Sequence, residues 1–341
     1  MRNWQTFSIH SRISNRLLIL LLLGLVLLAA VLSLCLGPVS IPPGEVLRAL
    51  LGRAEASPSA HIVLLARLPR TCGCLLAGMA LAMAGAVIQG VLNNPLAAPS
   101  TIGVNAGAGL AVAVWGALVP TAAALVPLAS FLGAFLGVTL VLAVAQRAGA
   151  ARITLVLAGV AVSNIFSAGI DAVIALVPDA LNGYSDFRVG GLANLSMDRI
   201  LPAFWIILAA ALLLFSLAGE LDILLLGSDT AQSLGLPVKP LRLALLALSA
   251  ALAGAAVSFA GLLGFVGLVV PNIMRRLIGE ESRPLLAASA LGGAGALALC
   301  DLLGRLLFAP YELPVGIVLS LLGGPFFIWL LLRQRGGRIH D

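Results

Sequence analysis

The sequence predicts an all-α polytopic protein that crosses a membrane ten times with both termini inside, and three observations carry that prediction. Of 341 residues, 61% are hydrophobic and only 10% are charged, and the mean hydropathy is +1.11, which excludes a water-soluble domain of ordinary make-up. Apolar runs close to the roughly 20 residues that a helix needs to cross a hydrocarbon core recur along the chain between short polar breaks. The basic residues, all Arg except Lys239, fall unevenly between alternate breaks, as the positive-inside bias of membrane helices requires.

Taken in order, the runs cover about residues 17–36, 71–92, 101–119, 122–146, 153–177, 200–219, 240–260, 262–274, 285–308 and 314–332. The first follows Arg2, Arg12 and Arg16 and superficially resembles a secretory leader. It is long enough to span, and no small-residue cleavage motif follows it, so it is read as a retained span. Residues 37–66 hold a candidate surface helix after Pro42-Pro43, and residues 178–199 hold Asn182-Gly183-Tyr184 and several acids. Both segments are too short for a folded outer domain, so capture of a substrate outside falls to a separate protein. The eighth run is short for a span. A broken or re-entrant helix is expected there, surrounded by protein or a water-filled cavity.

An even number of spans puts both termini on one side. Placing them inside puts thirteen basic residues in the cytoplasm, against seven outside (Arg48, Arg53, Arg67, Arg70, Arg188, Arg199 and Arg305). The bias therefore selects N-in and C-in. The whole chain, residues 1–341, reads as one membrane domain.

Glycines inside the runs, such as Gly103, Gly107 and Gly109 or Gly261, Gly264 and Gly267, let helix backbones approach closely. The Gly261 series lacks the strand and acid of a dinucleotide fingerprint, and the sequence contains no G-x-x-x-x-G-K-[ST]. Work driven by ATP would need another chain. Cys35, Cys72, Cys74 and Cys300 lie in or beside apolar runs with no histidine cluster, so they read as small buried residues rather than metal ligands. A faint repeat sets Ala84-Gly85 before Pro95 as Ala260-Gly261 stands before Pro271, with each proline expected to close a span.

Three polar groupings stand out. Glu220 to Lys239 is an island between two apolar runs, in which Ser228 or Asp229 can cap a short helix, Gln232 resembles the far member of a capping box, and Gly235 and Pro237 end the turn. It reads as a docking surface, or as a capped connector. Gln89 to Ser100 contains two prolines and adjacent asparagines, a tight turn with Ser100 placed to cap the next helix. Gln89 and Asn105 are amides inside spans, suited equally to lining a pore or to bonding between helices. Arg67 and Arg70 share a helical face before the second run, while Asp301 and Arg305 stand four apart, the spacing of an intrahelical ion pair. All three arginines are expected at the outer interface, where they would suit an acidic partner.

The strings R-L-P-R (67–70), Q-G-x-x-x-N-P-L-A-x-P-x-x-x-G-V-x-x-G-A (89–108), L-G-S-D-x-A-x-x-L-G (226–235), G-F-V-G-L-V-V-P-N-I-M-R-R (264–276) and E-L-P-V-G-I-V (312–318) resemble the type II permease family of ABC importers for ferric siderophores, haem and cobalamin. The resemblance runs from about residue 40 to 333. It implies ten spans, a dimer with a second permease subunit (identical or different) around a central pathway, two cytoplasmic ABC ATPases, and a periplasmic or lipid-anchored substrate-binding protein. Its setting is the bacterial inner membrane, with lipid and no nucleic acid as further surroundings. The chain itself would be non-catalytic and hold no cofactor, with ATP and Mg acting through the ATPase.

By the same resemblance, a coupling helix at about 227–236 (Gly227, Ser228, Asp229, Ala231, Leu234, Gly235) seats on the ATPase. Arg67, Arg70 and Arg305 meet acids of the binding protein, and Asn94, Pro95 and Leu96 form a cytoplasmic gate, with Gln89 and Asn105 along the pathway. A ferric siderophore is the expected cargo, with haem or cobalamin as alternatives. The chain departs from the family in two places. Asn272 replaces the usual histidine, and Ala150 and Ala151 stand where relatives place hydroxyl residues at a second gate, leaving Thr154 as the nearest hydroxyl. An ion-coupled secondary transporter is the rival class, but Asp171 is its only candidate midplane acid. An intramembrane enzyme lacks any grouping such as H-E-x-x-H.

Overall fold

A computed structural model describes residues 7–53, 57–148, 152–309 and 311–335. Helix α1 (Phe7–Cys35) is followed by the short α2 (Pro43–Leu50), as the Pro42-Pro43 pair predicts. Helix α3 (Pro58–His61) continues through a π-helical stretch, Ile62–Arg67, into α4 (Leu68–Leu92). A 3-10 turn, Pro99–Ile102, leads to α5 (Val104–Leu118), then α6 (Val126–Arg147), α7 (Arg152–Leu176), α8 (Ala180–Val189) and α9 (Met197–Ser216). The island forms α10 (Ala218–Leu225) and α11 (Ser228–Ser233), and the chain ends with α12 (Val238–Ala260), α13 (Val266–Ile278), α14 (Ser282–Leu306) and α15 (Val315–Arg335).

Each of the ten apolar runs is largely helical. Among the described residues, seven helices are long and apolar enough to cross a membrane, while Val104–Leu118 and Val315–Ile328 are shorter apolar helices and α13 has 13 residues. The second run begins earlier than predicted, because Pro58–Leu92 is one 35-residue helical unit. Pro69 lacks a donor for the preceding turn, and the π-helical stretch just before it accommodates the change of register without ending the helix.

Helix α4 is the axis of the bundle: its apolar window is 83% buried, against 28% for α1, and α1, α9, α12, α13 and α14 all pack on it. Glycine makes this possible. A Cβ on Gly78 would lie 2.2 Å from the Gly293 carbonyl oxygen of α14, and one on Gly85 would lie 1.8 Å from that of Gly267 in α13. Gly107 of α5 meets Gly133 of α6 in the same way, at 2.2 Å. Backbones at such range exchange dispersion contacts along their length, which is the main attraction available between helices in lipid.

Two sequence expectations change here. Pro271 sits inside α13 rather than closing a span, so the proposed repeat with Pro95 fails on that side. Residues 178–199, where the sequence predicts no helix, contain α8, which packs against α5, with the Tyr184 ring 3.4 Å from where a Gly109 Cβ would stand. The cysteines are free thiols, Cys35 and Cys74 buried and Cys72 and Cys300 half-buried.

Candidate functional site

The residues singled out by sequence gather at two opposite ends of the bundle. At one end stands α11. Gly227 and Gly235 bracket it with φ of +114° and +84°, backbone that disfavours any Cβ. Nothing lies within 4 Å of where either Cβ would be, so glycine is needed there for chain direction and not for space. Ala231 is fully buried and anchors the turn, whereas Asp229 and Thr230 are exposed, and Leu226 and Leu234 are exposed to 66% and 61%. The expected side-chain caps are not made: the N-cap is Gly227, and Ser228 Oγ instead accepts a hydrogen bond from Arg242 Nη2 of α12 at 3.0 Å.

Helix α10 joins α11 to the bundle. Asp222 Oδ1 accepts from the backbone N–H of Ser282 at 2.8 Å, satisfying one of the orphan donors at the start of α14. Leu221 and Leu225 lie against Gly90 of α4. Beside them opens a cavity of about 230 Å³, lined also by Gln89, Asn94, Pro95 and Arg275.

The turn after α4 is built by its own residues. Asn93, in the left-handed region at φ +48°, ends the helix, and Asn94 Oδ1 accepts from the Leu96 N–H at 2.9 Å, a side-chain mimic of a backbone turn. Asn94, Pro95 and Leu96 are half-buried. The next turn is capped by Thr101, not Ser100: Thr101 Oγ1 donates to the Ala98 carbonyl at 2.6 Å and accepts from the Ala98 N–H at 3.3 Å.

Gln89 is buried and bonds between helices. Its Nε2 donates to the carbonyls of Gly267 and Leu268, each at 3.2 Å, and its Oε1 accepts from Arg275 Nη1 at 3.0 Å. It also borders the cavity, and the bonding between helices expected of this amide is present. Asn272 Nδ2 donates to the Pro95 carbonyl and to the Leu268 carbonyl, each at 2.7 Å. Asn105, half-buried, lies one turn before Gly109 on α5 and does not line this cavity. Thr154 is half-buried on α7; Ala150 and Ala151 lie outside the described residues.

The opposite end corrects the sequence reading. Arg67, Arg70 and Arg305 were expected to face outward, but they are only 6%, 7% and 2% exposed. Arg67 donates to the Leu34 and Cys35 carbonyls in the last turn of α1, both at 2.8 Å, where helix carbonyls lack intrahelical donors, and to that of Val39 in the segment that follows. Arg70 bonds Asp301 through Nε and Nη2 at 3.0–3.1 Å and Glu312 through Nη1 at 2.5 Å. Arg305 Nη2 donates to Ser33 Oγ at 2.7 Å. The expected i, i+4 pair is present, with Arg305 Nε 3.1 Å from Asp301 Oδ2, a charge contact whose N–H is not aimed at the oxygen. Charged groups this deep are held only where partners surround them, and here the partners belong to the same chain. A depression of about 200 Å³ reaches the three arginines and Glu312 from outside.

Sequence reasoning missed Asp222, Asn272, Arg275 and Glu312 as structural ties. One signal was available: Pro271 inside an apolar helix must leave a carbonyl without its usual donor. Asp171, the acid of the rival reading, is exposed on α7.

Residues 25–333 match the model of the FecCD transport family. The chain is 37% identical over 338 residues to the hemin transport system permease protein HmuU of Yersinia pestis, covering 96% of this chain and 99% of that one. It is 36% identical over 317 residues to the Fe(3+)-citrate import system permease protein YfmE of Bacillus subtilis, covering 92% and 94%. In architecture it resembles a solved ABC transporter assigned to the metal-chelate type, in an inward-facing conformation, with a TM-score of 0.82, 28% identity, and 92% and 98% of the two chains covered.

Proposed function

This chain belongs to the FecCD transport family and is a membrane permease of the ABC-importer kind, and from that premise we propose that it imports a ferric chelate, a siderophore in the first instance, through ten spans with both termini in the cytoplasm of a bacterial inner membrane. The relatives act on hemin and ferric citrate, which share a trivalent iron held by an organic chelator, and haem remains the closest alternative cargo. A second permease subunit completes the pathway, two cytoplasmic ATPases supply the energy through ATP and Mg, and a periplasmic or lipid-anchored protein delivers the substrate. The chain holds no cofactor of its own.

The observation that carries this reading is α11. A short turn bracketed by positive-φ glycines, with its outer residues and two leucines exposed, is a surface built for another protein between two spans. Gly227, Ser228, Asp229, Ala231, Leu234 and Gly235 are its seat for the ATPase. Movement of α11 passes to α12 through Arg242, to α14 through Asp222, and to the Asn94–Leu96 gate through α10. Arg67, Arg70 and Arg305 frame the outer face on which the binding protein docks, the depression above them being the point of contact.

The test is reconstitution in proteoliposomes with the ATPase and the binding protein encoded beside it, following ⁵⁵Fe-chelate uptake. Uptake that requires ATP inside the ATPase's compartment supports the reading. Uptake by the permease alone under an ion gradient refutes it in favour of a secondary transporter.

A further inference from the structure

The backbone of α13 contains a gap that one side chain of α4 fills and a second, from α13, holds in place. Pro271 has no N–H, so within an α-helix the carbonyl of Gly267, four residues earlier, is left without a donor. Gln89 of α4 fills that position: its Nε2 donates to the Gly267 and Leu268 carbonyls. Only its amide nitrogen can face two acceptors, so its Oε1 is turned toward Arg275, whose Nη1 donates to it. Five residues beyond Gly267, the α13 side chain Asn272 reaches the opposite way, donating to Pro95 just past the end of α4. The two helices are in close contact here, Gly85 and Gly267 meeting backbone to backbone.

We propose that Gln89, Asn272 and Arg275 form a latch that makes α13 and the Asn94–Pro95–Leu96 turn one moving part, with Asn272 the positioning residue that sets the turn from α13. This rests on the reading of that turn as the gate. It also gives Asn272 a task that needs only one short N–H donor at this depth. An imidazole N–H meets that requirement, a carboxylate repels the carbonyl, and an alkyl chain leaves it unpaired.

The test uses the complete reconstituted transporter carrying Leu96→Cys as a reporter, labelled by a water-soluble maleimide with and without ATP plus vanadate. In the parent, labelling should change with nucleotide. With Asn272→Leu or Asn272→Asp, uptake should fall at least tenfold while ATP hydrolysis continues, and labelling should lose its nucleotide dependence. Asn272→His should keep uptake within about threefold of the parent and keep the dependence. Should the Leu and Asp variants fail to insert, Arg275→Met, at a half-buried position, opens the same latch, and loss of nucleotide dependence is again the expected result.

Nucleotide-dependent labelling that persists in Asn272→Leu or Arg275→Met overturns the latch while leaving the gate in place. A His variant as impaired as the Leu variant also overturns it. Labelling that never responds to nucleotide in the parent removes the gate reading and the latch with it.

Discussion

Asp301→Asn tests the claim that the arginines of the outer end hold the chain together before they do anything else. Asp301 is 1% exposed and receives hydrogen bonds from Arg70 Nε and Nη2 and the charge of Arg305 at 3.1 Å. The cluster it belongs to holds three buried guanidinium groups, Arg67, Arg70 and Arg305, and one further carboxylate, Glu312. Neutralising Asp301 leaves Arg305 with Ser33 and backbone carbonyls and leaves Glu312 as the one carboxylate paired with Arg70. Removing one partner of a buried ion pair costs about 3–5 kcal/mol, equivalent to roughly two to four decades in the folding equilibrium. Glu312→Gln removes a carboxylate whose side chain is 32% exposed, where solvent screens the pair, so its cost should be nearer 1 kcal/mol or less. Unfolding by sodium dodecyl sulfate in mixed micelles, followed by far-ultraviolet circular dichroism, measures both. A result with Asp301→Asn within about 0.5 kcal/mol of the parent, or with Glu312→Gln the more costly change, refutes the argument that the cluster is an internal frame.

Other outcomes follow from the same contacts. Gly85→Ala places a methyl 1.8 Å from a backbone oxygen that cannot rotate away and should cost about 1–3 kcal/mol or more as overpacking, whereas Gly24→Ala, with nothing within 4 Å, should leave the unfolding midpoint unchanged. Gly227→Ala, at φ +114° in open space, should cost about 1–2 kcal/mol from backbone strain alone and insert normally. Gly235→Pro, or charge reversal at Asp229, should likewise insert but let the ATPase turn over without uptake; normal substrate-stimulated transport in either would sink the coupling role of α11. Arg67→Glu sets a carboxylate against the carbonyls that close α1, so the yield of monodisperse protein on size exclusion should drop before any binding-protein association is measured.

What the sequence disclosed and what it concealed divide along one physical line. Hydropathy reads the solvent a segment prefers, and it located all ten apolar runs, because transfer to hydrocarbon depends on each residue's own side chain. The polar island was legible for the same reason, and its glycines announced a turn. Arg67, Arg70 and Arg305 were misplaced because the cost of burying a charge depends on partners as distant in sequence as Leu34, Asp301 and Glu312, which no local window contains. The chain offered a hint in Asp301, an acid in an apolar run with Arg305 one turn away, but a pair is satisfied equally well at a surface or in a core. Gln89 was undecided for a related reason: an amide needs donors and acceptors together, and one of its acceptors, the Gly267 carbonyl, lost its usual donor to Pro271, 182 positions later. A proline in a membrane helix is therefore more informative than its helix-breaking reputation suggests. It marks a carbonyl that some other side chain must reach, and in this chain Gln89 of α4 reaches it and is itself held by Arg275 of α13.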